Sequence, residues 1–206
     1  MHFLFPPCGS FLFGIDNTDE QSVTPHMVSG RKMLLEYQKF YREWLRGYER
    51  MTLRATAALP GIRETRRILG DYVLTVDDFV RRASFPDEIG RMAYPVDVHP
   101  SHTDATTQAR FEEEIQRTYH LAPGESYGIP YRSLLPRSLE NVYVTGRCIS
   151  ADRQVFGSVR VMAGAFITGM AAGLAASPAL QNVGITRQVN VPALRDRLRR
   201  EGVYLP

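Results

Sequence analysis

The sequence predicts an α+β chain: a mixed sheet with packed helices, closed by a strand–loop–helix unit. Three segments carry that prediction. Met33, Tyr37, Phe40, Trp44 and Tyr48 recur at helical spacing. Residues 61–75 alternate charged and apolar side chains around a Gly70-Asp71 turn. Residues 141–176 pass from an apolar stretch ending at Gly146, through a loop, into an alanine-rich run opened by Gly157 and Ser158.

Taken in order, Phe3 to Phe5 and Phe11 to Ile15 read as two short strands joined through Pro-Pro and Cys-Gly. A polar turn follows at residues 16–19. Thr24 before Pro25 then marks a helix start, because threonine caps and proline suits the first turn. That helix buries its aromatic stripe in the core and ends near Gly47. After the strand pair of residues 61–75, Thr75 and Asp78 form a capping box for a short helix running to about Arg82. Residues 84–98 are extended, 104–119 are a polar, solvated surface segment, and 129–135 are extended again. Pro136 and Ser138 precede a strand over residues 141–146 and mark the domain crossing. Residues 190–201 form a small amphipathic helix with Leu194 and Leu198 inward and its arginines mostly outward.

With 206 residues, 44% hydrophobic and 23% charged, the chain can bury a core as one or two domains. The net charge is only +3, and of 25 basic residues Lys32 and Lys39 alone are lysines. No basic stripe interleaved with aromatics points to nucleic acid, and a steep loss of affinity with salt would be the mark of an arginine-rich binder of that kind. Cys8 and Cys148 follow no metal spacing, so no zinc or four-cysteine iron–sulfur site is expected. A reducing, cytoplasmic setting is the expectation. The start MHFLFPPCGSFLF lacks a basic n-region and is broken by prolines, unlike a signal peptide. The apolar run 161–176 contains the pair Gly169 and Gly173, but at that length it falls short of a spanning helix, so no membrane segment is expected. Close packing of the helix against a sheet accounts for the small residues.

Several residues have chemistry suited to a site. A helix opened at Gly157 and Ser158 would present unpaired N–H groups and partial positive charge to an anion or polarised carbonyl; a plain N-cap is the structural alternative for Ser158. Arg63, Glu64, Arg66 and Arg67 form the densest charged run. If they lie on a strand, Arg63 and Arg67 share one face and Glu64 and Arg66 the other, for ion pairing or for anchoring a substrate through Arg63 or Arg66. Tyr131 and Arg132, after Pro130, offer an aromatic wall and a cation to a substrate carboxylate or carbonyl. His99, closing YPVDVH, is the candidate general acid or base, since imidazole titrates near neutrality.

Six segments in order, FLFGIDNTD, SGRKMLLEYQKF, LPGIRETRRILGDYVLTVDDF, FPDEIGRMAYPVDVH, YGIPYRSLLP and LENVYVTGRCISADRQVFGSVRVM, carry a resemblance. Over roughly residues 10–178 the chain resembles the C-terminal half of the FAD-dependent oxidoreductase family, in its branch of heterodisulfide reductase A-like flavoproteins. The resemblance implies that residues 1–137 belong to a substrate domain, 138–178 are the last strand and helix of a Rossmann-like FAD domain, and 179–206 are a tail. It also implies that Gly146 and Arg147 meet the ribityl and phosphate region, with a structural salt bridge as the other role for Arg147. Gly157, Ser158, Val159 and Arg160 would lie against the flavin ring.

What it implies chemically is hydride transfer between a small organic substrate and FAD, with a separate reoxidation step. The iron–sulfur cluster of some relatives has no support in two distant cysteines. No G-x-G-x-x-G motif, which would hold the cofactor's pyrophosphate, occurs in the sequence. A partial FAD site is therefore expected, completed by a missing N-terminal half joined in cis or supplied by a separate chain. The alternative is a non-enzymatic fragment or binding module left by a split or truncated gene, whose exposed apolar surface would lie where the absent half belongs.

Overall fold

The computed structural model describes residues 15–98, 113 and 119–206. The strand expected over Phe3 to Phe5, most of the one over Phe11 to Ile15, nearly all of the solvated segment 104–119, and His99 lie outside the described residues. The chain divides into two compact units, Met1–Ile62 and Arg63–Pro206.

The first unit is built on α1, Glu20–Trp44. The helix starts earlier than Thr24-Pro25 suggested because Asp19 caps it, its carboxylate accepting from the Gln21 and Ser22 amides. Pro25 therefore lies inside the helix, where it removes a backbone donor; the Thr24 hydroxyl donates to the Glu20 carbonyl nearby at 2.9 Å. Gly47, with φ +94, turns the chain just beyond the C-terminus. The aromatic stripe is the larger correction. No α1 residue is buried, and Phe40 and Trp44 are 51% and 72% exposed. The tyrosines pack on one another instead, Tyr37 against Tyr41 at 6.2 Å and Tyr41 against Tyr48 at 5.8 Å.

The second unit holds the core. Two strands, β1 (Glu88–Met92) and β2 (Tyr127–Pro130), pair antiparallel with Met92 opposite Tyr127 and Glu88 opposite Pro130, and the register slips between Glu88 and Arg91. The expected mixed sheet is thus, among the described residues, a two-stranded antiparallel one. Residues 61–75 do not form a strand pair; they are extended chain held by single bonds, Ile68 N–H to the Cys148 carbonyl at 3.0 Å and Leu74 N–H to that of Ser150 at 3.1 Å. Residues 141–145 likewise have no ladder, with Val144 N–H donating to the Leu134 carbonyl. An alternating or apolar pattern makes a strand only where a neighbour presents its own unpaired edge.

The helices fare better. The Thr75–Asp78 capping box opens α2 (Val76–Val80) as expected. The segment expected to stay extended after Pro130 winds into a 3₁₀ turn, Tyr131–Leu134. Asp152 caps α3 (Arg153–Val159), after which come α4 (Met162–Gln181) and α5 (Val191–Arg200). On α5, Leu194 and Leu198 are buried as the pattern required. Leu74, Phe79, Ile89, Tyr127, Ile149, Phe156, Ala171 and Ala175 are wholly inaccessible and lie in one cluster that joins β1, β2, α3 and α4.

At 20 residues, α4 is longer than the apolar run that defined it in the sequence, and by length and composition it is long enough to cross a membrane. One side of it is core, through Gly164, Thr168, Ala171, Ala175 and Ala179. The other is exposed along Met162, Phe166, Gly169, Gly173, Ala176 and Leu180, and the three large side chains on it are 75%, 70% and 75% exposed.

Candidate functional site

The segment that carries the candidate chemistry is a turn, two helices and the joint between them. Gly146–Cys148 is a single 3₁₀ turn. Gly146 has φ +65, a conformation that favours glycine, and its N–H donates to the Thr168 hydroxyl at 2.9 Å. That hydroxyl in turn donates to the Gly164 carbonyl at 2.8 Å. Thr168 is fully buried and so fastens the turn to the first turns of α4. Sequence reasoning passed over it, although one threonine in a run of alanine and glycine was a usable signal.

The helix opening expected at Gly157 and Ser158 is displaced in both directions. Both residues lie within α3 and are buried, so their amides are spent in the helix ladder. Ser158 is no N-cap: its hydroxyl is 2.7 Å from that of Tyr127 and donates to the Tyr94 carbonyl. Burial pushes the Tyr127 phenol well above its ordinary range. Gly157 is needed for close approach, since a Cβ there would fall 2.6 Å from Val98 Cγ2 and 2.9 Å from the Asp97 carbonyl oxygen.

The second helix start is at Val161. No side chain caps α4, no acidic residue stands in its first turn, and Met162 and Ala163 are exposed. Its leading amides thus retain the donor capacity that had been assigned to Gly157 and Ser158.

Arg160 pins the joint. Its side chain is 8% exposed, with one nitrogen 3.0 Å from Glu64 Oε2 and another donating to the Asp97 carbonyl at 2.6 Å. Burial draws its pKa below the ordinary arginine value, against the pull of Glu64 and Asp97. Arg63 pairs with the Asp97 carboxylate at 3.4 Å, Arg66 is exposed, and the Arg67 guanidinium sits over the Phe156 ring at 4.9 Å. Val159 is a core residue; Arg147 is exposed.

Gly146, Arg147, Arg160 and Arg63 therefore belong to one neighbourhood, around the α3–α4 joint and the extended chain beside it. Tyr131 and Arg132 engage other partners. The Tyr131 hydroxyl donates to the Thr186 carbonyl at 2.8 Å and lies 2.7 Å from that of Tyr143, in a buried position that raises its pKa. Arg132 forms a two-point pair with Asp87 at 2.9 and 3.2 Å, which holds its pKa up, and sits 5.1 Å from the Tyr72 ring centre. Among the described residues no group of three or more His, Cys, Asp or Glu could hold a metal ion.

The family model described as FAD dependent oxidoreductase matches residues 8–198. The chain belongs to that family. No curated protein and no solved structure matches it. For a FAD-dependent oxidoreductase the family implies FAD binding and flavin-dependent oxidoreduction. The residues present fit electron-rich oxygens of such a cofactor: an uncapped helix start lies beside a left-handed glycine.

Proposed function

We propose that this chain supplies the ring-side half of a flavin site in an oxidoreductase of the heterodisulfide reductase A-like type. It would work with a nucleotide-binding half in cis or on another chain, transferring hydride between a small organic substrate and FAD. The observation that carries the proposal is the uncapped, exposed start of α4 beside Gly146. In this scheme residues 138–178 complete a Rossmann-like FAD domain, the preceding residues to 137 belong to the substrate domain, and 179–206 are a tail.

The flavin, when bound, supplies the hydride chemistry. The chain's own residues orient and polarise. The Met162 and Ala163 amides face developing negative charge in place of Gly157 and Ser158; Gly146 leaves room for a ligand, and Arg147 offers a fork of donors. Arg160 and Val159 hold the joint rather than touch the cofactor. His99 remains the candidate acid or base, with Arg132 and Tyr131 as further candidates on the substrate side and Arg63 and Arg66 as substrate anchors.

The exposed apolar stripe of α4 supports the half-site, since a contiguous patch of that kind marks an interface. Titrating the purified chain with FAD and following flavin absorbance tests the proposal. No tight binding is expected from the chain alone, with binding restored by a chain bearing the glycine-rich dinucleotide motif. Tight binding without that partner contradicts the half-site, and failure to bind even with it favours the non-enzymatic fragment.

A further inference from the structure

We infer that Arg67 is the anchor of an anion site, one that takes a carboxylate or phosphate group from a bound molecule. The inference does not depend on a flavin being bound. It starts from the charges around Phe156. Two guanidinium groups meet there, Arg160 and Arg67 over the ring at 5.9 and 4.9 Å, and a third, Arg63, pairs with Asp97, whose carbonyl accepts from Arg160. The two carboxylates among them are engaged, Glu64 by Arg160 at 3.0 Å and Asp97 by Arg63 at 3.4 Å. Arg67 is the cation left over. Among the described residues it makes no ion pair and no hydrogen bond, and its contact is the aromatic face.

The position is not that of a freely solvated side chain. Arg67 is half-buried, Phe156 is wholly inaccessible, and the following residue is fixed by the bond from Ile68 N–H to the Cys148 carbonyl at 3.0 Å. A guanidinium held on a ring loses water from one face but keeps edge donors in a rigid fork, which matches a planar or tetrahedral oxyanion at two points. The neighbouring Arg160 and Arg63 are each matched by a carboxylate, which leaves the excess positive charge of the cluster on Arg67. The sequence drew attention to Arg63 and Arg66 in this run; the inference adds the residue beside them.

The test uses the full chain, uniformly 15N-labelled, with the arginine Nε–Hε resonances followed during additions of sodium succinate or sodium pyrophosphate at constant ionic strength. The Arg67 signal is expected to shift saturably while that of Arg200, exposed on α5, does not. Arg67→Ala should weaken binding, read from the Arg160 signal, by about tenfold or more, the loss of a charge-assisted pair. Arg67→Lys, which keeps the charge and disturbs folding less, should also weaken it because the fork is gone. A response to succinate alone identifies a carboxylate ligand, to pyrophosphate alone a phosphate, and to both a general oxyanion site. No saturable shift with either, or full affinity in both variants, overturns the inference.

Discussion

Replacing Thr168 by valine isolates the bond that fastens the Gly146 turn to α4. The side chain is fully buried, and valine preserves its shape and branching, so packing changes little. What is lost is the acceptor 2.9 Å from the Gly146 N–H. The Gly164 carbonyl keeps its helical partner, so the cost is that of one half-buried donor left unsatisfied, about 1–2 kcal/mol. A chain of this length loses about 2–4 °C in Tm per kcal/mol, giving a fall of about 2–8 °C. Near-UV circular dichroism through thermal and urea unfolding measures it, with an unchanged urea slope showing that the same surface is exposed in both proteins. A change below about 0.5 kcal/mol, the range of an ordinary surface substitution, refutes the claim that this bond holds the turn.

Val183 has φ 58 and is 91% exposed, a β-branched residue in the left-handed region with nothing to hold its side chain. Val183→Asn is expected to stabilise the chain by about 1 kcal/mol, seen as a higher urea midpoint; no gain would mean that the strain is absent in solution. Burial and the Asp78 carboxylate raise the Tyr72 phenol from its ordinary 10.0 to about 12. The folded state therefore holds that proton more tightly than the unfolded one. This contribution to stability is complete below about pH 10 and is lost as pH rises towards about 12. Urea midpoints across that window should decline less steeply in Tyr72→Phe than in the natural chain, and parallel declines would assign the alkaline loss to other groups.

What was legible in the sequence was local. The Thr75–Asp78 box and the Leu194, Leu198 face of α5 are signals complete within one or two turns, and both structures formed where expected. The strand patterns at residues 61–75 and 141–146 were sound as patterns, but a ladder needs a partner edge, and sequence periodicity does not supply one. The aromatic stripe of α1 has helical spacing and no burial, because periodicity fixes a face and not what covers it. At the site, glycine and serine at 157 and 158 resembled a helix opening. The real cap was Asp152, whose carboxylate accepts from Val155 N–H at 2.8 Å, a signature present in the sequence. The start at Val161 had no such signature: a helix without a capping side chain leaves no local mark. Arg67 was visible only as one of several arginines, since its isolation depends on which neighbours Glu64 and Asp97 choose.

The joint between α3 and α4 has a kinetic consequence. Arg160 reaches Glu64 and the Asp97 carbonyl, 96 and 63 positions away along the chain. Closing spans of that length is entropically slow compared with winding a helix, so the contacts that set the direction of α4 are among the slow, non-local ones. A peptide containing only the two helices would lack both partners of Arg160; the aim of α4 belongs to the assembled unit.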